Sequence, residues 1–242
     1  MRTIAVVQAR MGSTRLPGKA LAEINGQPLV LWTLAAMDAV PGLDGLVVAI
    51  TTEPQDDRLA TVLTGQGYRV HRGSTHDVLR RCLDAVSPFE PEVVVRETAD
   101  NPFIDPAVVA AQVRWLVDGG YDFVGTTGWP LGIAAEVARA TALAMADGEA
   151  VDAAEREHVM PFLYARPERF RIGALAPAEP PPPGRFTVDT VADLTFARAM
   201  AERIGGTGPT SMATLRAILA EEPELLDLNR DVRQKAWQEA QR

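Results

Sequence analysis

Short apolar runs alternate along the first half of the chain with stretches whose apolar positions repeat at helical spacing. Thr3-Ile4-Ala5-Val6-Val7 predicts a first strand, and a helix follows over 28–39, opened by Pro28. A strand over 46–51, a helix over 55–65, a strand over 68–72 and a helix over 77–86 continue the pattern. Val93-Val94-Val95 is another strand, and a helix over 106–117 is entered through Asp105-Pro106. This βαβα rhythm predicts an α/β fold with a mostly parallel sheet, whose ligand site lies where strands end. Residues 121–175 break the rhythm. Within them Thr126-Thr127-Gly128-Trp129-Pro130-Leu131-Gly132 reads as a loop and 151–165 as helical. The segment 121–165 is therefore expected to be an insertion that covers the site or pairs two subunits. Pro180-Pro181-Pro182-Pro183-Gly184 predicts a stiff extended connection. The polar stretch from Glu221 to Arg242 has the pattern of a surface helix. At 242 residues with no linker, one domain over 1–242 is the expectation.

The loop after the first strand carries the densest chemistry: Gln8-Ala9-Arg10-Met11-Gly12-Ser13-Thr14-Arg15-Leu16-Pro17-Gly18-Lys19. It is not a Walker A loop, because five residues separate Gly12 from Gly18 and Ala20, not Ser or Thr, follows Lys19. Nor does it have G-x-G-x-x-G spacing. What remains is a loop whose backbone N–H groups can wrap phosphates, with Arg10, Arg15 and Lys19 supplying charge and forked donors. A nucleoside triphosphate is the expected ligand.

Charge and composition narrow the partners. A net charge of −8 with a pI near 5.0 argues against nucleic acid, which demands an extended basic face. No apolar run approaches membrane-spanning length and Met1-Arg2-Thr3 does not open a signal peptide, so a cytoplasmic location is expected. Cys82 shares one helical face with Val78, Leu79, Leu83 and Val86, which reads as core packing rather than as a nucleophile. His71 and His76 have no zinc-site spacing.

The string QARMGSTRLPGK resembles the signature loop of the cytidylyltransferases that activate acidic sugars. These are the 3-deoxy-manno-octulosonate and acylneuraminate enzymes and, most closely, the spore coat polysaccharide biosynthesis proteins grouped with them. Four later blocks are similar to family blocks in the family's order: Gly73 to Arg81 (GSTHDVLRR), Arg96 to Asp105 (RETADNPFID), Glu157-His158-Val159 and Arg185 to Leu194 (RFTVDTVADL). The resemblance implies a three-layer, mostly parallel, Rossmann-like sheet of the nucleotide-diphospho-sugar transferase (GT-A-like) kind. It also implies transfer of CMP from CTP to an acidic sugar or related acid, with magnesium as cofactor and pyrophosphate as the leaving group. Asp100 and Asp189 would hold the metal. The bland alternative is that Asp100 caps the turn before Asn101-Pro102 and Asp189 caps a helix starting at Thr190.

Lys19 and Arg15 would contact the β- and γ-phosphates and act with Asp100 in catalysis. Gln8, Ala9, Arg10, Gly12, Ser13 and Arg81 would complete the nucleotide site. Arg81 reads equally well as a helix-surface residue.

Pro130-Leu131-Gly132-Ile133-Ala134-Ala135-Glu136 departs from the family's stretch, lacking its arginine and its aspartate, and this opens the identity of the acceptor. Glu136 is expected to grip an acceptor hydroxyl, and His158 to contact the acceptor or act as a base. An acid at a helix start and a structural histidine are the plain alternatives. A homodimer through 121–165 is expected from Trp129, Leu131, Ile133, Val137, Val159, Phe162 and Leu163, more apolar side chains than a small excursion could cover. Three rival functions stay open: a nucleotidyltransferase acting on a sugar phosphate or phosphonate, a nucleotide-sugar glycosyltransferase, and a non-catalytic nucleotide binder. The glycosyltransferase would hold its metal through a D-x-D motif, and no D-x-D occurs in the sequence.

Overall fold

The structure is a computed structural model that describes residues 1–206 and 208–234. The far end of the surface helix expected over 221–242 lies outside the described residues, and Pro223–Leu228 forms a short 3₁₀ segment. Strand β1 (Thr3–Gln8) leads through a long loop to a small hairpin, β2 (Glu23–Ile24) and β3 (Gln27–Pro28), and then to helix α1 (Leu29–Asp38). The chain continues through β4 (Gly45–Thr51), α2 (Asp57–Gly65), β5 (Val70–Gly73), α3 (Val78–Val86), β6 (Val93–Thr98) and α4 (Pro106–Gly119). Asp105 starts α4 as its sequence requires, its carboxylate accepting from the Ala107 N–H at 2.8 Å with Pro106 in the first turn.

The seven-stranded sheet has the order β5-β4-β1-β6-β8-β7-β9, where β7 is Phe123–Thr126, β8 is Glu136–Arg139 and β9 is Ile172–Leu175. Pairing is parallel throughout except at β8, which runs antiparallel to both β6 and β7. The broken rhythm over 121–175 is this reversed strand. Residues 121–165 are thus part of the sheet and its cover rather than an excursion from it: they supply β7 and β8 and the helices α5 (Ala140–Glu149), α6 (Ala153–His158) and α7 (Pro161–Tyr164).

Side chains alternate across the strands and fill a layer on each side. Ala5, Val7, Val48, Ile50, Val93 and Val95 pack against α1, α2 and α4. Ile4, Val6, Val47, Ala49 and Val94 pack against α3, α5 and α7, with Cys82 inside this second layer, as its helical position predicts. Ile133, Val137, Val159, Phe162 and Leu163 are likewise buried in the chain's own core. The apolar surplus from which a dimer was expected is therefore mostly covered within one chain, leaving Leu131 at 44% exposed.

A third cluster joins α1 to α8 (Val191–Ile204) and α9 (Met212–Glu221). Its spine is a chain of edge-on rings, Trp32 to Phe103 to Phe186 to Phe196, with centroids 5.6–6.4 Å apart. Such pairs contribute about 0.5–1.5 kcal/mol each beyond their buried area, so the segment around Phe186 is anchored firmly.

Candidate active site

From β1 the chain builds β4 and β5 on one side and then crosses to place β6 on the other. Strand order therefore reverses between β1 and β6, and a crevice opens at their C-terminal ends, where ligands of such sheets bind. The loops leaving these two strands meet there.

The loop after β1 is tied down by its own backbone. The Met11 carbonyl accepts from Ser13 N–H at 2.9 Å and from Gly18 N–H at 3.0 Å, while Met11 N–H donates to buried Asp56 at 2.7 Å. The Ser13 hydroxyl accepts from Leu16 N–H at 3.3 Å, and Ala9 N–H reaches the Ala49 carbonyl of β4 at 3.1 Å. Gly12 lies against Gln55, whose amide nitrogen would be 2.9 Å from a Cβ there. Gly18 has φ 75°, a left-handed conformation that glycine adopts without strain, and it turns Lys19 inward.

Lys19 Nζ donates to Asp100 Oδ2 at 2.6 Å, Asp189 Oδ1 at 2.8 Å and the Val188 carbonyl at 2.9 Å. Burial works against its charge, yet the two carboxylates outweigh burial and raise its pKa. Asp189 also meets Arg15 at 2.9 Å and Arg185. Burial opposes its charge too, but Lys19, Arg15 and Arg185 together hold its pKa below the ordinary aspartate value. The cap of α8 is Thr190, reciprocally bonded with Asp193, so the capping alternative fails for Asp189, while the Asp100 carboxylate accepts from Lys19.

A deeper frame fixes Asp189. Arg185 donates to Asp193 Oδ1 at 3.0 Å, and Asn229 bonds both the Arg185 carbonyl and Asp193 Oδ1 at 3.0 and 3.1 Å. The Val188 N–H donates to the Asp100 carbonyl at 2.8 Å, locking the two aspartate segments together. Gly132, at φ 94°, packs its Cα on this segment; a Cβ there would sit 2.6–2.8 Å from the backbone of Phe186 and Thr187.

A second cluster gathers on the β6–β8 pair. Arg96, on β6, donates from Nε to Gln8 Oε1 at 3.1 Å and from Nη1 to Glu136 Oε2 at 2.7 Å. Burial raises the Glu136 pKa, although Arg96 opposes the shift. Arg10 turns this way as well, pairing with Glu157 at 3.6 Å. Arg81 is buried and donates to the Ser74 carbonyl; burial lowers its pKa, with Arg10 and Arg96 adding to the effect, so the helix-surface alternative does not hold. His158 faces Arg96 and Arg10: burial lowers its pKa first, Glu157 resists, and the two guanidiniums lower it further. Directly after it Val159 is held at φ 71°, closed by a Met160 N–H to His158 carbonyl bond of 2.9 Å. A β-branched residue there is strained, and such strain concentrates at functional sites.

Sequence reasoning grouped the three loop cations together, whereas the structure parts them, Arg15 and Lys19 on one side and Arg10 on the other. It also missed Arg96, Arg185, Asp193 and Glu97. Glu97 is buried beside the crevice, accepting from Thr98 N–H at 2.7 Å and Asn101 Nδ2 at 2.6 Å while its Oε2 has no partner among the described residues. Burial pushes its pKa up to about 8, against those hydrogen bonds.

The cytidylyltransferase family matches residues 4–234. The chain belongs to that family. This cytidylyltransferase is 33% identical over 226 residues to the spore coat polysaccharide biosynthesis protein SpsF of Bacillus subtilis, covering 90% of the chain and 94% of that protein. Similarity to the 3-deoxy-manno-octulosonate cytidylyltransferase of Mesorhizobium japonicum, 35% over 128 residues, spans 50% of this chain and 51% of that one. Among solved structures, a cytidylyltransferase from Leptospira borgpetersenii superposes with a TM-score of 0.89 at 25% identity, covering 97% of this cytidylyltransferase and all of that chain. No helix among the described residues is long and apolar enough to cross a membrane.

Proposed function

We propose that this cytidylyltransferase transfers CMP from CTP to an acidic sugar or a related acid, releasing pyrophosphate, in the synthesis of a surface polysaccharide or glycoconjugate precursor. The observation that carries this reading is the convergence of Lys19, Asp100 and Asp189 at the switch point of the sheet. An acceptor oxygen forms the new bond to the α-phosphorus as the bond to the pyrophosphate oxygen breaks. Positioning and charge neutralisation are the main tasks of the protein in such a step.

Lys19 and Arg15 stand where they can neutralise the departing pyrophosphate, and the tied backbone of 11–18 offers N–H donors to the phosphates. Arg81, Arg10 and Gln8 flank the remainder of the nucleotide, and Glu136 and His158 border the acceptor. Asp100 and Asp189 fit a divalent cation: two oxygens of opposed carboxylates lie within 2.8 Å of one ammonium, which occupies the place of a cation. Among the described residues no group of three or more acidic, histidine or cysteine side chains could hold a metal, so two carboxylates would share it with phosphate oxygens and water, the habit of magnesium. When bound, the ion supplies charge stabilisation at the phosphates.

Pyrophosphate release measured over the four nucleoside triphosphates and a panel of sugar acids, sugar phosphates and phosphonates tests the reading. CTP with a sugar acid and magnesium is expected to be the productive combination, and a chelator is expected to abolish it. Turnover with another nucleotide, or undiminished turnover under the chelator, overturns it.

A further inference from the structure

Arg96 is a charged residue inside a strand whose neighbours Val94 and Val95 are core, and burying a guanidinium there needs a compensating use. Its side chain is only 13% exposed, and it is paired with Glu136 at 2.7 Å. Nε is taken by Gln8 and Nη1 by Glu136, while Nη2 has no hydrogen-bond partner among the described residues. Two neighbours fix the plane of the guanidinium and leave one edge open. That is how a preorganised anion clamp is made, with little rotamer freedom left to lose on binding.

The surroundings say which ligand part that edge faces. Arg96 sits on β6 next to β8, whose Glu136 lies directly across the pair in register, and His158 with its strained successor borders the same space. Lys19 and Arg15, the residues assigned to the phosphates, have their ion pairs with Asp100 and Asp189 instead. Neither Arg15 nor Lys19 contacts the Arg96 cluster.

We infer that Arg96 is the specificity-determining residue of the acceptor site: its open edge grips a carboxylate of the acceptor, and Glu136, rather than touching an acceptor hydroxyl, orients Arg96 for that contact. A singly charged carboxylate fits better than a doubly charged phosphate or phosphonate, because Glu136 and Glu157 already stand in the cluster and repel a second negative charge. The inference rests on the nucleotidyl-transfer reading for its setting and goes beyond it in naming the residue and the group it binds.

The test compares wild type with Arg96→Gln and Arg96→Lys, using the acceptor found in the pyrophosphate screen, with thermal melting to verify folding. Losing a charge-assisted contact of this kind should raise the acceptor KM about 10- to 100-fold in Arg96→Gln. Because Arg96 also bonds Gln8 of the nucleotide site, the CTP KM should rise too, but by less than the acceptor KM, and Arg96→Lys should recover part of the loss. A rise in CTP KM larger than that of the acceptor, an unmoved acceptor KM, or a productive acceptor that lacks a carboxylate overturns the assignment. If no pair in the screen releases pyrophosphate, the transfer reading fails alone. Calorimetry with 3-deoxy-manno-octulosonate as probe then decides Arg96: binding to wild type but not to Arg96→Gln supports the assignment, and equal or absent binding overturns it.

Discussion

The two ends of the crevice use similar residues in opposite ways. At the end formed by Lys19, Arg15, Asp100 and Asp189, each charge closes on another and the carboxylates share one ammonium. At the end formed by Arg10, Arg81, Arg96, Glu136 and His158, burial lowers the pKa of Arg81 and of His158, and neighbouring guanidiniums lower both further. The first end is self-neutralised and suits a ligand that arrives with its own cations. The second retains unspent positive potential and suits a small anion. The loop after β1 serves both ends, sending Arg10 to the second and Arg15 and Lys19 to the first.

The largest expected effect breaks the first end. Asp100→Asn and Asp189→Asn should each reduce turnover at least ~100-fold, since each removes charge from a site built around a cation. Near-normal rates in both variants would remove the metal role from these residues. Next in size, Lys19→Ala and Arg15→Ala should lower kcat more than they raise the CTP KM, because charge accumulates on pyrophosphate as the bond breaks. A pure KM effect would reduce them to ground-state binders and blur the contrast with the second end.

The smallest effect concerns stability and the floor between the two ends. The folded pKa of Glu97 is raised from 4.5 to about 8, so the folded state holds a proton that the unfolded chain has released. Stability from this group is full below about pH 4.5 and falls as pH rises toward about 8. Melting temperature followed across that window should decline, and Glu97→Gln should flatten the decline. An unchanged slope in the variant assigns the pH dependence elsewhere.

Much of this was legible from residues alone. The strands were visible because β-branched runs such as Val93-Val94-Val95 have few other uses, and the loop of Arg15 and Lys19 stood out as cations beside glycines in an acidic chain. Strand β8 was not visible: Glu136-Val137-Ala138-Arg139 is short and polar at both ends, and only pairing with β6 and β7 makes it a strand. Arg96 was hidden for a related reason, since a charge after an apolar run reads as the end of the strand. The available signal was the pair Arg96-Glu97 so close to a buried run, because charges there need partners. The frame of Arg185, Asp193 and Asn229 depends on contacts across as many as 44 residues of sequence, which no local pattern encodes.

That frame makes the end of the described chain answerable to the reacting centre. Asn229 holds Arg185 and Asp193, and these hold Asp189, so a protease that trimmed the chain just before Asn229 would leave the sheet and its two packed layers intact. The clipped protein would melt lower, by the cost of the buried contacts of Asn229, and would lose far more of its turnover than of its fold. For this fold, intactness of the molecule and competence of the molecule are separate measurements, and the second is the more fragile.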